Sequence, residues 1–534
     1  MRERIRWDIV AVAAGAVILA ALLFTKPFIG VADNGDFQRI MVSVGLTYPE
    51  HARTYEERFF HYAHSQYSYG EFKAGGYWSS QLIFAMAASL LGRIWNAGAF
   101  DIRVLGFLYA LTLLAATWIV VRFGAGKSRL AAFLLAAAVL FVFYDIGYVA
   151  YFNSFFGEPV SLLFMLMTVG FAFWLTSRQE PSVWLLAAFF ASAIMLACSK
   201  IQNAPVGVAF ALLALRFAAL RDDRRWRRRV YTLCAVTVAV SIAMYVAAPK
   251  ELKHINLYQT VFYGILKDSP DPKRDLRDLG LSEELAVNAG TNYFQTDAPI
   301  KQDDPLLERE FYSKLSHKDV AVYYLTHPGR FIDKLEAGAK AGMTIRPYYL
   351  GNYEQAEGKP PGALSYAYSA WSEFKARHVP KSLGFLIAFY ALYYFILLFL
   401  YMQRSDRRYR IGLETLMLIG LVGIFSLCVP LLGDGEADLG KHLFMFNVCF
   451  DMMAIAGAVW IVRNVVMLVT SRLGYSARRS TYRFDRRPNS CPDRASVMSG
   501  KPADTCRIEP RQPAVIRRLS WFGVPPLSRT GAPL

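Results

Sequence analysis

Residues 8–39 of the chain read DIVAVAAGAVILAALLFTKPFIGVADNGDFQR. The stretch 8–29 is predominantly apolar and is long enough to cross a bilayer, which takes about 20 such residues in a helix. Two carboxylates, Asp33 and Asp36, follow where this helix leaves the membrane. A span that opens onto an acidic motif indicates an integral membrane protein with polar groups gathered at one membrane face.

Composition points the same way for the whole chain of 534 residues, of which 54% are hydrophobic and 19% are charged. Soluble globular proteins contain roughly 45–50% apolar and about 25% charged residues, so the excess excludes a disordered or fibrous chain. Apolar segments of sufficient length predict an all-α polytopic membrane protein of about ten transmembrane helices. These spans are expected at residues 8–29, 104–121, 130–147, 158–176, 183–199, 204–220, 230–248, 382–402, 411–432 and 442–466.

The basic residues predict the orientation, because cytoplasmic loops carry an excess of Lys and Arg. Arg2, Arg4 and Arg6 place the N-terminus inside, and the basic loop 122–129 also belongs inside. Both conditions hold if segment 79–95 lies along the membrane surface as an amphipathic helix instead of crossing it. We therefore expect a multi-pass protein of the bacterial cytoplasmic (inner) membrane with both termini cytoplasmic.

This topology divides the chain into four regions. We expect an N-terminal transmembrane module at 1–248 with a first outer loop at 30–103, an extracytoplasmic loop domain at 249–381, a C-terminal transmembrane module at 382–470, and a disordered basic cytoplasmic tail at 471–534. The net charge of +17 would suggest nucleic-acid binding in a soluble protein. Here the excess falls in the predicted cytoplasmic loops and tail, so it reflects topology, and no nucleic-acid partner is expected.

The first candidate site is the acidic motif 33–39, DNGDFQR. Two carboxylates three residues apart at the outer interface can supply a general base, Asp33 or Asp36, for a membrane-embedded substrate. Arg39 can bind a phosphate group. The alternative is a solvated turn in which Asp33 or Asn34 caps the following helix.

A second candidate lies in the outer loop 151–159 before the fourth span, where Asn153 and Glu158 are suited to binding sugar hydroxyls. The alternative is structural, because a Glu-Pro pair is a normal helix start and a carboxylate is favourable there. Lys200 and Arg346 are two isolated outer cations. Each can bind phosphate or serve as an anchor at the membrane interface.

The third candidate is the outer loop 433–442 between the last two spans, which carries Asp434, Glu436 and Asp438 followed by Lys441 and His442. The alternating acids resemble a metal-binding loop in outline, without the spacing of an EF-hand. A divalent metal therefore stays open as a cofactor, and its ligands are unknown. Lys441 and His442 could hold a lipid phosphate, with plain solvation of the loop as the alternative.

Taken together, the layout resembles the GT-C membrane glycosyltransferases. The resemblance is carried by span one, the acidic motif, a surface helix that opens with residues 77–80 (YWSS), and a second span that follows 100–106 (FDIRVLG). Shorter motifs, Asp-Asn-Gly-Asp-Phe and Gly-Asp-Gly-Glu-Ala-Asp, resemble bacterial glycan-biosynthesis hexose transferases of the Wsf type. The superfamily often has an adjacent Asp-Glu pair in this loop. Here the two acids are separated, and we favour Asp36 as the base with Asp33 second.

The resemblance implies a GT-C-like bundle with amphipathic juxtamembrane helices in the first outer loop. It also implies transfer of a hexose from a polyprenyl-phosphate donor to a glycan or a lipid-linked saccharide at the outer face, with inversion by single displacement. Arg39, Lys200, Arg346 or Lys441 would then stabilise the departing phosphate. The chain has no phosphate-loop or dinucleotide-binding motif, in accord with a donor already activated as a phosphate ester.

Two other classes of function are open. A transporter or flippase of lipid-linked or anionic substrates predicts charged or helix-breaking residues near mid-bilayer in several spans, and these spans are largely free of them. A non-catalytic membrane scaffold would use 249–381 as a binding module, but it gives no reason for acidic residues in three separate outer loops. We therefore favour the transferase.

Overall fold

The first described helix is already a membrane span. The computed structural model describes the backbone of residues 5–484 and the side chains of residues 5–470. Helix α1, Trp7–Phe24, has a continuous apolar sequence with Asp8 in its first turn. Arg2 and Arg4, on which the predicted orientation partly depends, lie outside the described residues.

The first loop folds into a small platform beside the bundle. It contains α2 (Gln38–Met41), α3 (Tyr55–Arg58) and α4 (Gln81–Trp95), and an antiparallel sheet of β1 (Leu46–Thr47), β2 (Gln66–Tyr69) and β3 (Phe100–Asp101) in the order β1-β2-β3. Helix α4 forms where the surface helix was expected. Small residues such as Ala85 and Ala88 are buried, and Ile83, Ile94 and Trp95 are exposed, so one face of α4 is apolar and free to contact lipid.

The N-terminal bundle follows directly. It consists of α5 (Arg103–Gly124), α6 (Arg129–Phe143), α7 (Ile146–Val149), α8 (Glu158–Ser177), α9 (Val183–Ala197), α10 (Ala204–Ala214) and α11 (Arg224–Val246). Helix α6 is bent by 55° from the segment Ile146–Asn153. Short 3-10 turns lengthen α10 into an apolar segment that spans Ile201–Leu220.

The second long loop has its own helices and core. Its helices are α12 (Lys250–Thr260), α13 (Pro272–Asp278), α14 (Pro305–Leu307), α15 (His317–Thr326), α16 (Pro328–Ala341) and α17 (Ala370–His378). Tyr258, Phe262, Leu276 and Phe311 are buried together in a cluster separate from the core of the bundle. A core of this kind gives the segment its own packed interior.

The last helices return to the bundle and complete it. They are α18 (Leu383–Met402), α19 (Arg407–Gly433), α20 (Leu439–His442) and α21 (Phe444–Phe484). The backbone of α21 therefore continues into the first part of the region predicted as a tail. Residues 485–534, the rest of that prediction, lie outside the described residues.

The number of spans agrees with a polytopic protein. Among residues 5–484, eight helices are long and apolar enough to cross a membrane, and the bent pair would be a ninth. The remaining predicted span, α9, has only 15 residues. Glu158 at the start of α8 contacts Lys200 just after α9 at 2.6 Å, so α8 and α9 run through the bundle in opposite directions. The chain is an all-α multi-pass membrane protein, as its hydropathy predicts.

Candidate functional site

Four distant parts of the chain meet at one end of the bundle. The loop after α1 brings Asp36, helix α8 begins with Glu158, the turn after α9 brings Lys200, and α20 brings Lys441. The Lys441 ammonium contacts the Asp36 carboxylate at 2.5 Å, although the two residues are 405 positions apart. The acidic motif and the loop 433–442 therefore form a single site.

Asp33 serves to build the turn that presents Asp36. It is 1% exposed, and its Oδ1 accepts hydrogen bonds from the backbone N–H groups of Gly35 at 2.8 Å and Phe37 at 3.1 Å. Its Oδ2 accepts a hydrogen bond from the Tyr48 hydroxyl. Burial raises the pKa of Asp33 to about 6, against the hydrogen bonds from Tyr48 and Phe37. Both oxygens are thus engaged within the first loop, away from the surface of the site.

Asp36 is held open to the surface between two cations. Its Oδ1 lies 2.9 Å from the Arg39 guanidinium and its Oδ2 lies 2.5 Å from Lys441, and its side chain is 30% exposed. Burial opposes ionisation, but Lys441 and Arg39 outweigh it and hold the pKa of Asp36 well below its usual range. The charge of Lys200 adds to this effect without a direct contact, so three cations lower the pKa of one carboxylate.

Lys441 links Asp36 to a second carboxylate. It is 1% exposed, it contacts Asp438 at 2.6 Å, and its ammonium lies over the Phe156 ring at 4.9 Å. Burial disfavours its charge, but Asp36, Asp438 and Glu158 together raise the pKa of Lys441. Lys441 therefore stays charged although it is itself buried.

Asp438 occupies a strained backbone position and reaches back to the first loop. Its φ of +48° lies in the left-handed region, which non-glycine residues rarely adopt and which often marks a functional site. Its Oδ2 also accepts a hydrogen bond from the Asn34 side chain at 2.6 Å. The two loops are thus joined by two separate contacts, Lys441 to Asp36 and Asn34 to Asp438.

Several buried oxygens at the site have no partner within the described residues. They are Oε2 of Glu158, Oδ1 of Asp434, Oδ1 of Asp438 and the hydroxyl of Tyr151. Glu158 engages Lys200 through its other oxygen. Buried polar atoms are nearly always paired in folded proteins, so these oxygens are available to accept or exchange hydrogen bonds with water or a ligand.

His442 stands at the edge of the same cluster. Its Nε2 lies 2.9 Å from Asp434, and its carbonyl accepts a hydrogen bond from the Gln202 side chain at 3.1 Å. The predicted residues Asp36, Arg39, Glu158, Lys200 and the pair Lys441–His442 are therefore brought together, and Asp434 is attached through His442.

Two predicted residues, Asn153 and Arg346, have their contacts elsewhere. Asn153 donates to the carbonyl of Ile29 at 2.8 Å and fastens the segment after α1 to the bundle. Arg346 donates to the Ser365 carbonyl and contacts Glu373 at 3.3 Å. These contacts are structural, and none of them reaches the Asp36 cluster among the residues described.

Glu436 connects the loop 433–442 to the second long loop. Its two oxygens contact Lys267 at 2.7 Å and Lys334 at 2.8 Å. Burial opposes its ionisation, but the hydrogen bonds from Lys267 and Lys334 prevail and lower the pKa of Glu436. The loop that presents Lys441 is therefore anchored to the second loop by this partly buried acid.

The acids of the last loop point to different partners. Asp434 contacts His442, Glu436 contacts two lysines, and Asp438 contacts Lys441. Within the part of the chain that the structure describes, no group of three His, Cys, Asp or Glu side chains is arranged to hold a metal ion. The residues of loop 433–442 thus do not form a ready set of metal ligands.

Sequence reasoning did not assign Tyr48 or Tyr77 to the site, and it did not predict the contact between Asn34 and Asp438. Tyr77 lies within electrostatic range of Asp36 and Arg39, and burial raises its pKa to about 12. Asp438 sits three positions before Lys441, a spacing at which side chains on a helix meet. That spacing is the one signal in the sequence that could have paired them.

The arrangement can bind an anion and move a proton. Lys441, Arg39 and Lys200 offer positive charge around a point that Asp36 also reaches, at the end of several spans. A carboxylate that exchanges its cations for a phosphate becomes a free acceptor for a proton. These two abilities coexist within one cluster of side chains.

Two solved structures are similar to this chain, both from Archaeoglobus fulgidus. The archaeal oligosaccharyltransferase AglB, in complex with an inhibitory peptide and a dolichol-phosphate, is 14% identical with a TM-score of 0.38, over 87% of this chain and 52% of that chain. The oligosaccharyltransferase in the apo form is 14% identical with a TM-score of 0.35, over 88% of this chain and 52% of that chain. The chain thus spans about half the length of these proteins.

Among curated proteins, none matches the sequence significantly. A protein family does match, and the match includes the spans, both long loops and the Asp36 cluster. The model of the family described as the YfdI N-terminal transmembrane domain matches residues 1–479, and the chain therefore belongs to this family.

Proposed function

We propose that the protein is a membrane glycosyltransferase that moves a hexose from a polyprenyl-phosphate donor to a hydroxyl of a glycan or lipid-linked saccharide. The transfer takes place on the outer face of a bacterial cytoplasmic membrane, with both termini cytoplasmic. The GT-C resemblance of the first loop supports this proposal, and the narrower Wsf-type resemblance stays a prediction.

One observation carries the proposal: Asp36 lies between Lys441 at 2.5 Å and Arg39 at 2.9 Å at the end of the bundle. A polyprenyl-phosphate sugar keeps its lipid in the membrane and its phosphate at the membrane surface. Cations placed there fit the phosphate. A carboxylate beside them fits the acceptor hydroxyl.

Without donor, the same cations make Asp36 a weak base, because they hold its pKa low. The donor phosphate competes for Lys441 and Arg39. As these contacts shift to the phosphate, the pKa of Asp36 rises towards its ordinary value. Donor binding therefore prepares the base, and the acceptor hydroxyl is activated only when a donor is in place.

The reaction is then a single displacement. The acceptor oxygen forms a bond to the anomeric carbon as its proton passes to Asp36, and the bond from that carbon to the phosphate oxygen breaks. The phosphate leaves with an additional negative charge, which Lys441, Arg39 and Lys200 stabilise. One displacement inverts the anomeric centre.

The unpaired oxygens at the base of the site give the sugar a place to bind. Glu158 Oε2 and the Tyr151 hydroxyl are buried and have no partner within the described residues. Hydroxyl groups of a hexose both donate and accept hydrogen bonds and so satisfy such atoms. We assign Glu158 to the sugar and Lys200, its partner, to the phosphate.

The proposal is tested with purified protein in vesicles, a radiolabelled polyprenyl-phosphate hexose and a mixture of lipid-linked acceptors. Asp36→Asn is expected to lower transfer by about 10²- to 10⁴-fold, the usual contribution of a general base. Asp33→Asn is the matched control, because Asn keeps an oxygen for the turn and is expected to retain most activity.

The same variants are tested in cells by complementing a gene deletion and analysing surface glycans by mass spectrometry. We expect the deletion and Asp36→Asn to lose the same hexose, at equal membrane expression. An unchanged glycan in the deletion strain would refute the proposed glycosyltransferase activity. An unchanged glycan with Asp36→Asn alone would remove Asp36 as the base.

A further inference from the structure

Tyr77 is a side chain of the Asp36 cluster to which the proposed reaction gives no role. It stands shortly before α4, is partly buried, and packs its ring against the core of the bundle. Burial acts most strongly on its hydroxyl, and the charges of Arg39, Asp36, Glu158 and Lys441 act on it as well. Tyr77 therefore lies within electrostatic range of two acids and two cations of the site.

The chain on both sides of this tyrosine is fixed to the site. A Cβ atom placed on Gly75 would lie 3.2 Å from the carbonyl oxygen of Arg39, so the backbone passes closely beside α2. On the other side, Ser79 Oγ donates a hydrogen bond to the carbonyl of Ser199 at 2.8 Å, and Lys200 is the next residue. The tyrosine is thus held between the cation of the first loop and the cation that follows α9.

The Tyr77 hydroxyl is free to bind a ligand. It has no hydrogen-bond partner among the described residues, and it is not enclosed in the way that the unpaired Tyr151 hydroxyl is. Burial, together with the nearby carboxylates, raises its pKa to about 12 against the effect of the cations, so the hydroxyl keeps its proton at neutral pH. It therefore has a hydrogen to donate and is not a second base.

The positive charges near Tyr77 favour an anion as the acceptor of that hydrogen bond. In the proposed reaction, the anion that binds to Arg39, Lys200 and Lys441 is the phosphate of the donor. Hydrogen bonds to an ionised acceptor are roughly twice as strong as those between neutral groups. The phosphate gains negative charge as the sugar departs, so the bond strengthens in the transition state and favours transfer. No proton leaves Tyr77 in this step.

We propose that the Tyr77 hydroxyl donates a hydrogen bond to the phosphate of the polyprenyl-phosphate donor. This assignment rests on the proposed function, which supplies that phosphate. It adds a neutral, directional donor to the three cations, so that binding of the phosphate depends on geometry as well as on charge.

The test measures equilibrium binding of undecaprenyl phosphate and of undecaprenol to the full chain in detergent. Tyr77→Phe removes the hydroxyl and keeps the ring, and it is expected to unfold at the wild-type temperature because the hydroxyl has no protein partner to lose. Wild type is expected to bind the phosphate more tightly than the alcohol. Tyr77→Phe is expected to weaken binding of the phosphate by about 10- to 150-fold, the range for a hydrogen bond to a charged group, and to bind the alcohol as wild type does.

Tyr69→Phe is the matched control. Tyr69 belongs to β2 in the same loop, and its hydroxyl also has no partner within the described residues. The Arg93 guanidinium lies over its ring at 4.3 Å, and Arg93 is the charge that acts on its hydroxyl. Because this contact does not involve the Asp36 cluster, Tyr69→Phe is expected to bind the phosphate and the alcohol as wild type does.

Three outcomes would overturn the assignment of Tyr77. Wild-type affinity of Tyr77→Phe for the phosphate would leave the proposed function without this hydrogen bond, and a raised KM for the acceptor in the same variant would assign the hydroxyl to the acceptor. An equal loss of affinity for the phosphate and the alcohol would mean that the substitution disturbs the site as a whole. No preference of wild type for the phosphate would mean that the cluster is not a phosphate site, and the glycan of the deletion strain then decides whether the glycosyltransferase activity fails as well.

Discussion

Replacement of Lys441 by Gln tests the electrostatic core of the site. Lys441 contacts Asp36 at 2.5 Å and Asp438 at 2.6 Å and is almost fully buried. A hydrogen bond to a charged group contributes about 1.5–3 kcal/mol. Loss of the contact between Lys441 and the donor phosphate is therefore expected to lower kcat/KM for the donor by about 10- to 150-fold.

The same substitution is expected to change the pH dependence. A nearby opposite charge lowers the pKa of an Asp by about 1–3 units, so removing Lys441 raises the pKa of Asp36 and leaves only Arg39 in direct contact. Asp36 is then protonated at a higher pH. The acidic limb of kcat/KM, which reports the free enzyme, lies well below pH 4 in wild type because the pKa of Asp36 is held low; in the variant it is expected to move upward, towards the ordinary Asp value of about 3.9.

The assay is initial-rate transfer from a polyprenyl-phosphate hexose between pH 3 and pH 8, with thermal unfolding of each variant measured in parallel at each pH. Lys441→Arg keeps the charge and is the matched control. It is expected to lower kcat/KM less than Lys441→Gln and to show an acidic limb close to that of wild type. If folded Lys441→Gln shows the wild-type rate and an unshifted limb, Lys441 neither binds the donor nor controls Asp36.

Three further substitutions test how the site is supported. Glu436→Gln is expected to increase proteolysis of loop 433–442. Because the pKa of Glu436 is lowered, wild type is also expected to lose thermal stability as the pH falls below about 4.5. The variant is expected to lose less thermal stability over the same pH range. Lys375→Met removes the cation that contacts buried Asp451 at 2.7 Å. It is expected to lower the free energy of unfolding, measured in detergent, by about 3–5 kcal/mol. The double variant with Asp451→Leu is expected to regain part of this free energy. Asp33→Ala leaves the buried donors that bond to Asp33 without an acceptor, which is expected to lower the free energy of unfolding by about 1–3 kcal/mol for each donor. Asp33→Asn is expected to unfold near the wild-type temperature.

For each of these predictions, one outcome would contradict the reasoning. A protease pattern of Glu436→Gln identical to that of wild type would mean that the loop is held by other contacts. A double variant at 375 and 451 that is no more stable than the single one would mean that the ion pair is not the cause of the loss. Equal stability of Asp33→Ala and Asp33→Asn would mean that the hydrogen bonds to Asp33 do not stabilise the turn.

The spans could be predicted from the sequence because a bilayer imposes a simple rule, about 20 apolar residues for each crossing helix. The rule is weakest where a helix is buried among others: α9 has 15 residues, and α6 is bent where Asp145 interrupts the apolar run. The sheet of the first loop was not predicted, because strands of two to four residues are too short to display an alternating pattern.

The site could be predicted only as a set of separate residues. Asp36, Glu158, Lys200 and Lys441 each stood out as charged groups at the ends of spans. Their pairing is set by which helix ends meet in three dimensions, and no local pattern encodes it. Arg346 was singled out for the same reason as Lys200, yet its partners are a carbonyl and Glu373, because an isolated cation can as well serve to join two loops.

The distance of 405 positions between Asp36 and Lys441 has a consequence for synthesis. Proteins are made from the N-terminus, so the acidic motif leaves the ribosome long before the residue that completes it. During that interval Asp36 has Arg39 beside it but no ammonium from α20. The last span thus acts as a final assembly step, and a prematurely terminated chain inserts most of its helices without ever acquiring a complete cationic site.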